Sequence, residues 1–218
     1  AQWALTALLD DPSAVVHAAM VRQLRAMGPE GLAMLRGVVD TGEASNAEAA
    51  RQYLLELGAE HPREQFLRLI RSFNFELESG VLMLARVIDP ELDAADCYTF
   101  MEEAAGRCRQ LLLEPATTWQ KCRVLNRVLF HEYGFSGDRA DFFNPANCLI
   151  HEVIRRRRGI PISLCTVYLL VAARCGIDLE LVATPGRLLI GCFDDIEPFY
   201  IDAFEGGRRA AMTVARAP

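Results

Sequence analysis

Nowhere does this chain of 218 residues approach the roughly 18 consecutive uncharged apolar residues that a membrane-crossing helix needs. The opening AQWALTALLDDPS has no basic segment leading into an apolar one, so no secretory leader is expected. Basic residues are also outnumbered, 23 Lys and Arg against 29 Asp and Glu. The net charge of −6 argues against a general nucleic-acid binder, which needs a basic face to release counterions. Only Arg155 to Arg158 form a strong basic cluster. There is no C-x-x-C pair. The seven cysteines (Cys97, Cys108, Cys122, Cys148, Cys165, Cys175 and Cys192) are odd in number and sit mostly in apolar helical contexts. That pattern predicts free, buried thiols and a cytoplasmic protein without disulfides. The four histidines (His17, His61, His131 and His151) are scattered. Cys148 and His151 form a lone C-x-x-H, which supplies two ligands where zinc takes three or four. No metal or other cofactor is expected.

What the chain does have is a hydrophobic content of 51%, enough to build a packed core in one or two domains. Residues 1–60 carry a weak internal repeat. MVRQLRAMG (Met20 to Gly28) aligns with ARQYLLELG (Ala50 to Gly58) at a spacing of 30, pairing Leu24 with Leu54, Met27 with Leu57 and Gly28 with Gly58. Each copy reads as a helix with one apolar stripe, closed by a glycine that tolerates positive φ. Such units bury their apolar faces only by stacking on each other. The pattern is similar to HEAT-type repeats, with an ordinary helical bundle as the plainer alternative.

HPREQ at 61–65 marks the expected boundary. Apolar spacing then predicts helices near 64–73, 78–88, 94–113 and 117–133, with DPELD and EPATT supplying turns and caps. A loop rich in turn formers and aromatics, FSGDRADFFNPAN, leads into helices near 146–158 and 162–175. After Gly176 the period changes. LELVAT, RLLIGCF and FYIDAF are short runs of β-formers separated by PG and DD turns, which predicts a small antiparallel sheet. Helices followed by strands give an α+β class. The closing GGRRAAMTVARAP makes no convincing terminal element, so the domain of 61–218 is expected to continue past Pro218.

From about Glu78 to Met212 the chain resembles the bacterial SirB-type family of the transglutaminase-like superfamily. The resemblance is carried by LARVIDPELDAADCYTFMEEAAGRC, by NRVLFHEYGFSGDRADFFNPANCLIHEVIRRRRGIPISL, and by TPG and YIDAFEGG, which look like the family's P-G-H-F and I-D-P-F-x-G-G strand motifs. It implies a papain-like core of helices packed on a small antiparallel sheet. In active members of the superfamily a cysteine at a helix N-terminus attacks an amide carbonyl. A histidine on the next strand is the base, and an aspartate or asparagine on the following strand orients it. The helix end lowers the thiol pKa, the base must lie within hydrogen-bond reach, and the third group fixes the imidazole tautomer.

Carried over residue by residue, the match is incomplete. The nucleophile position falls around Pro161 to Ser163 and holds no cysteine; Cys165 lies half a turn deeper. The histidine of P-G-H-F is Arg187, and arginine stays charged and is no general base at neutral pH. Asp202 matches the third position. Arg187 and Asp202 are a polar pair for binding an anion, or a plain structural ion pair. Ser163 is a nucleophile without an obvious base, or a first-turn capping residue. His151, where the family usually has asparagine, reaches Cys165 only if its helix packs face to face with the next. Arg155 to Arg158 are an anion clamp or a solvated helix end.

These residues predict a catalytically inactive domain that binds a protein or peptide in the repeat groove or the relic cleft. The alternative is a divergent cysteine-type acyl transferase or protease using Cys165 or Cys148 with His151 and Asp202. Direct DNA binding in a regulatory role is a third reading, disfavoured by the acidic charge.

Overall fold

The computed structural model describes residues 5–58, 62–72, 76–90, 92–193 and 198–210. His61 of the expected boundary, the Asp194–Asp195 turn and the tail from residue 211 lie outside them. The chain divides into two compact units, Ala1–Phe73 and Asn74–Pro218.

The first unit contains helices α1 (Ala14–Met27), α2 (Pro29–Thr41), α3 (Ala44–Glu56) and α4 (Pro62–Arg71). Gly28 has φ 56° and passes the chain into Pro29 at the first position of α2, where a missing N–H costs nothing. The aligned residues Leu24 and Leu54 both lie in this unit's core with Leu35, Ala50 and Tyr53. Gly28 and Gly58, the aligned glycines, both have positive φ.

The second unit begins with α5 (Leu77–Ile88), α6 (Ala95–Leu111) and α7 (Thr118–Asn126). Thr117 and Gln120 form a reciprocal capping box at the start of α7. The Thr117 hydroxyl accepts from Gln120 N–H, and the Gln120 side-chain Oε1 accepts from Thr117 N–H at 2.8 Å. The helix runs on through a wider, π-helical turn at Arg127–Glu132.

Next come the two-residue strand β1 (Ser136–Gly137), a 3-10 turn (Pro145–Cys148), helix α8 (Ile150–Arg156) and strand β2 (Arg158–Gly159), which pairs in parallel with β1. The single helix expected over 146–158 is thus two pieces joined by an extended Leu149. The cause is Asn147. Its buried amide donates to the carbonyl of Asp141 at 2.8 Å and binds the turn to the preceding loop instead of to α8. Arg156 donates to the Asn147 side-chain oxygen at 2.9 Å and lies 3.9 Å from the buried Asp138, so three polar side chains hold this corner.

Helix α9 (Pro161–Arg174) is enclosed nearly all round, with Ser163 to Tyr168 and Leu170 to Ala172 buried without a break on either run. An apolar helix without a solvent stripe belongs inside a core. It packs against α5, α6, α7 and α8 and on strand β4 (Arg187–Cys192). The sheet runs in the order β3-β4-β5-β6 and is antiparallel throughout, with β3 (Glu180–Thr184), β5 (Phe199–Asp202) and β6 (Arg208–Ala210). The last strand was not expected. RRA has no alternation of its own and forms a strand only by pairing Asp202 with Arg208 and Tyr200 with Ala210. The α+β class holds, with all four strands of the larger sheet following the helices.

Tyr168 joins α9 to α7. Its ring is fully buried and its hydroxyl donates to the Cys122 carbonyl at 3.1 Å. Tyr168→Phe should cost about 1–2 kcal/mol, the loss of one buried hydrogen bond. Tyr168→Ala should cost about 3–5 kcal/mol because a large cavity opens. Urea unfolding of the two variants separates the hydrogen bond from the packing; equal losses would contradict this division.

Candidate functional site

The helix start that the resemblance aligns with the nucleophile position is built tightly. Pro161 opens α9, and the Ser163 hydroxyl turns back on Ile160, accepting from its N–H and donating to its carbonyl, both at 3.1 Å. Gly159 sits directly beside it. A Cβ at that position would stand 2.6 Å from Ser163 Oγ and 3.1 Å from Val153, so only glycine allows β2 and the helix start to approach this closely. Ser163 is 5% exposed, and both its hydrogen-bonding roles are occupied locally. It is a first-turn residue of the helix, with no base next to its oxygen.

Cys165 is completely buried, and its Sγ faces the Leu188 carbonyl on β4 at 3.8 Å. Burial pushes its thiol up to about 12, and the negative charge of Asp202 acts in the same direction, while a backbone hydrogen bond with Ala203 opposes them. At neutral pH the thiolate, the form that attacks carbonyls, is then on the order of one part in 10⁵. An active cysteine nucleophile needs the reverse: partial exposure and a lowered pKa.

Arg187 opens β4, and Asp202 closes β5. Arg187 Nη1 lies 3.9 Å from Asp202 Oδ2, with the arginine side chain 66% exposed and the aspartate almost enclosed. The other carboxylate oxygen accepts from Glu205 N–H at 3.1 Å, and the Asp202 carbonyl accepts from Gly207 N–H at 2.8 Å. Asp202 therefore shapes the turn that leads into β6. Its loose contact with Arg187 is of the kind worth about 0–1 kcal/mol when one partner is in solvent.

Asp202, Arg187 and Cys165 do come together around the β4–β5 end. His151 does not join them. It sits on α8 and lines a separate concavity of about 400 Å³ with Leu92, Asp96, Cys97, Phe100 and Arg157. Its Nδ1 is buried with no hydrogen-bond partner among the described residues. The charge that acts on Cys165 is that of Asp202, not His151. Cys148 is exposed at the end of the 3-10 turn. Among the described residues no imidazole makes a hydrogen bond with Cys165 or Cys148.

The four arginines of 155–158 are not a clamp. Arg155 pairs with Glu152 at 2.6 Å. Arg156 holds the Asn147–Asp138 corner. Arg157, at φ 58°, lays its guanidinium over Phe100 at 4.1 Å and Phe135 at 5.0 Å, and burial lowers its pKa. Arg158 is exposed and opens strand β2, opposite Ser136.

A larger concavity escaped the sequence reading. An open groove of about 700 Å³ runs between α7 and the start of β6, lined by Trp119, Arg123, Arg127, His131, Arg208 and Arg209 among others. The signal was available in part: Arg123 and Arg127 stand four apart on a helix, and Arg208–Arg209 follow a Gly-Gly turn. Nothing in the sequence said that these two pairs meet.

Among the described residues no group of three or more His, Cys, Asp and Glu side chains could hold a metal ion, and no helix is long and apolar enough to cross a membrane.

Substitutions at the β4–β5 end should rank by these contacts. Arg187→Ala should change stability by no more than about 0.5 kcal/mol. Asp202→Ala should cost about 1–2 kcal/mol through the lost turn hydrogen bond, and Asp202→Asn, which keeps an acceptor, should recover most of it. Chemical denaturation decides; a loss at Arg187→Ala as large as at Asp202→Ala would mean that the ion pair, not the turn, is what Asp202 is for.

Residues 95–217 match the family model for the transglutaminase-like superfamily. A UPF0162 protein of Xylella fastidiosa (strain Temecula1) is 35% identical over 133 residues, covering 61% of this chain and 47% of that protein. A UPF0162 protein of Vibrio cholerae is 28% identical over 132 residues, covering 60% and 49%. F-box only protein 21 of Homo sapiens is 34% identical over 110 residues, covering 47% of this chain and 18% of the human one. The chain thus spans about half the length of the UPF0162 relatives it matches. No solved structure is a significant match. With its helix–strand order, its β4–β5 end and more than half of its length accounted for by one family model, the chain belongs to the transglutaminase-like superfamily.

Proposed function

We propose that this is a catalytically inactive transglutaminase-like domain of the SirB type that works as a protein- or peptide-binding module, with HEAT-like helices in front. The carrying observation is the buried Cys165 thiol, pushed up to about 12, beside an arginine in the place of the base. An acyl transfer needs a thiolate and a proton acceptor at neutral pH. The buried thiol and the permanently charged guanidinium supply neither. The serine at the helix start is held by Ile160 and has no base. A framework preserved without its chemistry is what a binding role leaves in place. The match within F-box only protein 21, a small part of a much longer chain, suits a module joined to other segments.

Burial also says where a partner would not bind. Ser163, Cys165 and Asp202 are buried, so the relic site offers only the Arg187 side chain to a ligand. A binding surface is to be sought elsewhere on the domain.

Incubation with glutaminyl and ester acyl donors, amines and water as acceptors should give no turnover above background. Thiol labelling gives the sharper test. In the folded protein iodoacetamide should modify the exposed Cys148 at the pace of an ordinary surface thiol and Cys165 only as fast as the domain opens. Rapid, stoichiometric labelling of Cys165 at neutral pH, or turnover abolished by Cys165→Ala, would sink the proposal.

A further inference from the structure

We propose that the arginine-lined groove between α7 and β6 is a docking site for an acidic segment, rich in Asp and Glu, of a partner protein. The inference rests on the reading of this domain as a binding module.

Charge is the first argument. Arg123, Arg127, Arg208, Arg209 and His131 all line the groove, and no carboxylate does. Arg127 is satisfied by Glu132 at 3.0 Å. Arg123, Arg208 and Arg209 are exposed, and among the described residues none of the three has a carboxylate partner. This stands out on a chain of net charge −6, where acidic side chains are the majority. Elsewhere in the unit exposed arginines such as Arg107, Arg109 and Arg155 do find carboxylates, at 2.6–2.8 Å. Unneutralised guanidinia gathered around one concavity repel each other, and an anionic ligand removes that repulsion.

The second argument is preorganisation. Trp119 forms one wall, fixed edge-on to Phe199 with ring centroids 5.1 Å apart. The Arg209 guanidinium lies 5.4 Å from the Trp119 ring, which orients its planar donors before any ligand arrives. Gly206 and Gly207 line the same groove without side chains. Gly207 cannot be replaced cheaply: its φ is +79°, and a Cβ would stand 2.4 Å from the Asn126 side chain, which donates to the Gly207 carbonyl at 2.7 Å. The register of β6, and with it the placement of Arg208 and Arg209, is thereby tied to α7.

The third argument selects the occupant. A space of about 700 Å³ suits a few residues of extended peptide rather than a duplex. A long polyphosphate chain would extend past the groove onto a protein whose net charge is −6. A short carboxylate cluster is neutralised within the groove, and arginine forks match carboxylates in bidentate fashion. Trp119 and Val124 add apolar contact for the stems of glutamate side chains.

The test uses Trp119 as reporter. The chain has two tryptophans, so Trp3→Phe leaves Trp119 alone. This protein is titrated with a Glu/Asp-rich heptapeptide, with the same peptide carrying lysine in place of the acids, with pyrophosphate and with oligothymidylate. The acidic peptide should give a saturable change in Trp119 emission that weakens as salt rises, and the lysine peptide should give none. Arg208→Glu/Arg209→Glu should weaken binding at least about tenfold. So should Arg123→Glu, an exposed change on α7 that leaves β6 untouched, and Arg187→Ala should leave affinity unchanged. No saturable response, equal affinity in a folded Arg123→Glu variant, or tighter binding of pyrophosphate or oligothymidylate than of the peptide would overturn the docking site. Acyl-transfer turnover by a protein that still binds the peptide would instead remove the inactive-domain reading and leave the groove standing.

Discussion

Enclosure of helix α9 is the constraint on which the rest of the second unit depends. Four helices and the sheet all pack on it, and its residues from Ser163 to Ala172 are buried apart from Leu169. A helix so placed specifies the fold strongly, because every neighbouring element must present an apolar face to it. Burial also shapes the electrostatics at its N-terminal end. The helix dipole favours an anion there, but the residue that would hold one is a serine folded back on Ile160, and the next sulfur inward is desolvated. Desolvation raises a thiol pKa further than a helix end lowers it once the group is fully enclosed. The same packing that builds the framework therefore raises the pKa of the Cys165 thiol.

Polar side chains inside this unit act as fasteners. Asn147, Asp138 and Arg156 hold the loop before α8. Asp202 accepts from the Glu205 amide and fixes the turn into β6. Arg139 and Glu205 pair across the outside of that turn, and the Arg139 guanidinium lies 5.1 Å from the Phe204 ring. Glu78 and Arg174 join α5 to the end of α9 at 2.6 Å. Asn147, Asp138, Asp202 and Glu78 are buried groups that would be penalised if they were alone, so each specifies one arrangement of the chain around it.

Much of the fold was legible because its elements carry strong local signals. The capping box at Thr117, the glycine closing α9 and the β-formers after it are all visible as letters. The break between the 3-10 turn and α8 was not, because it depends on where the Asn147 side chain finds its carbonyl partner, a tertiary fact. Strand β6 was missed for a related reason: RRA has no period and becomes a strand through its partner β5. At the candidate site, the absence of cysteine from the start of α9 and of histidine from the start of β4 could be read directly. The separation of His151 from Cys165 could not, since it depends on which face of α8 meets which neighbour.

The position of Arg187 connects the two readings of this domain. A histidine there, beside a carboxylate, would be a neutral base able to take up a proton. An arginine is a fixed positive charge, and it points outward from a strand end whose aspartate is committed to a turn. That turn runs through Gly206 and Gly207 into Arg208 and Arg209. Asp202 thus has a structural consequence that does not depend on catalysis: through the Glu205 amide and the Gly207 N–H it sets the path that brings two arginines against α7. A residue whose type suits the orienting of an imidazole also suits the ordering of a turn, because both tasks need only a fixed acceptor. With arginine at the neighbouring strand start, Asp202 still meets a structural demand, that of the turn leading to Arg208 and Arg209.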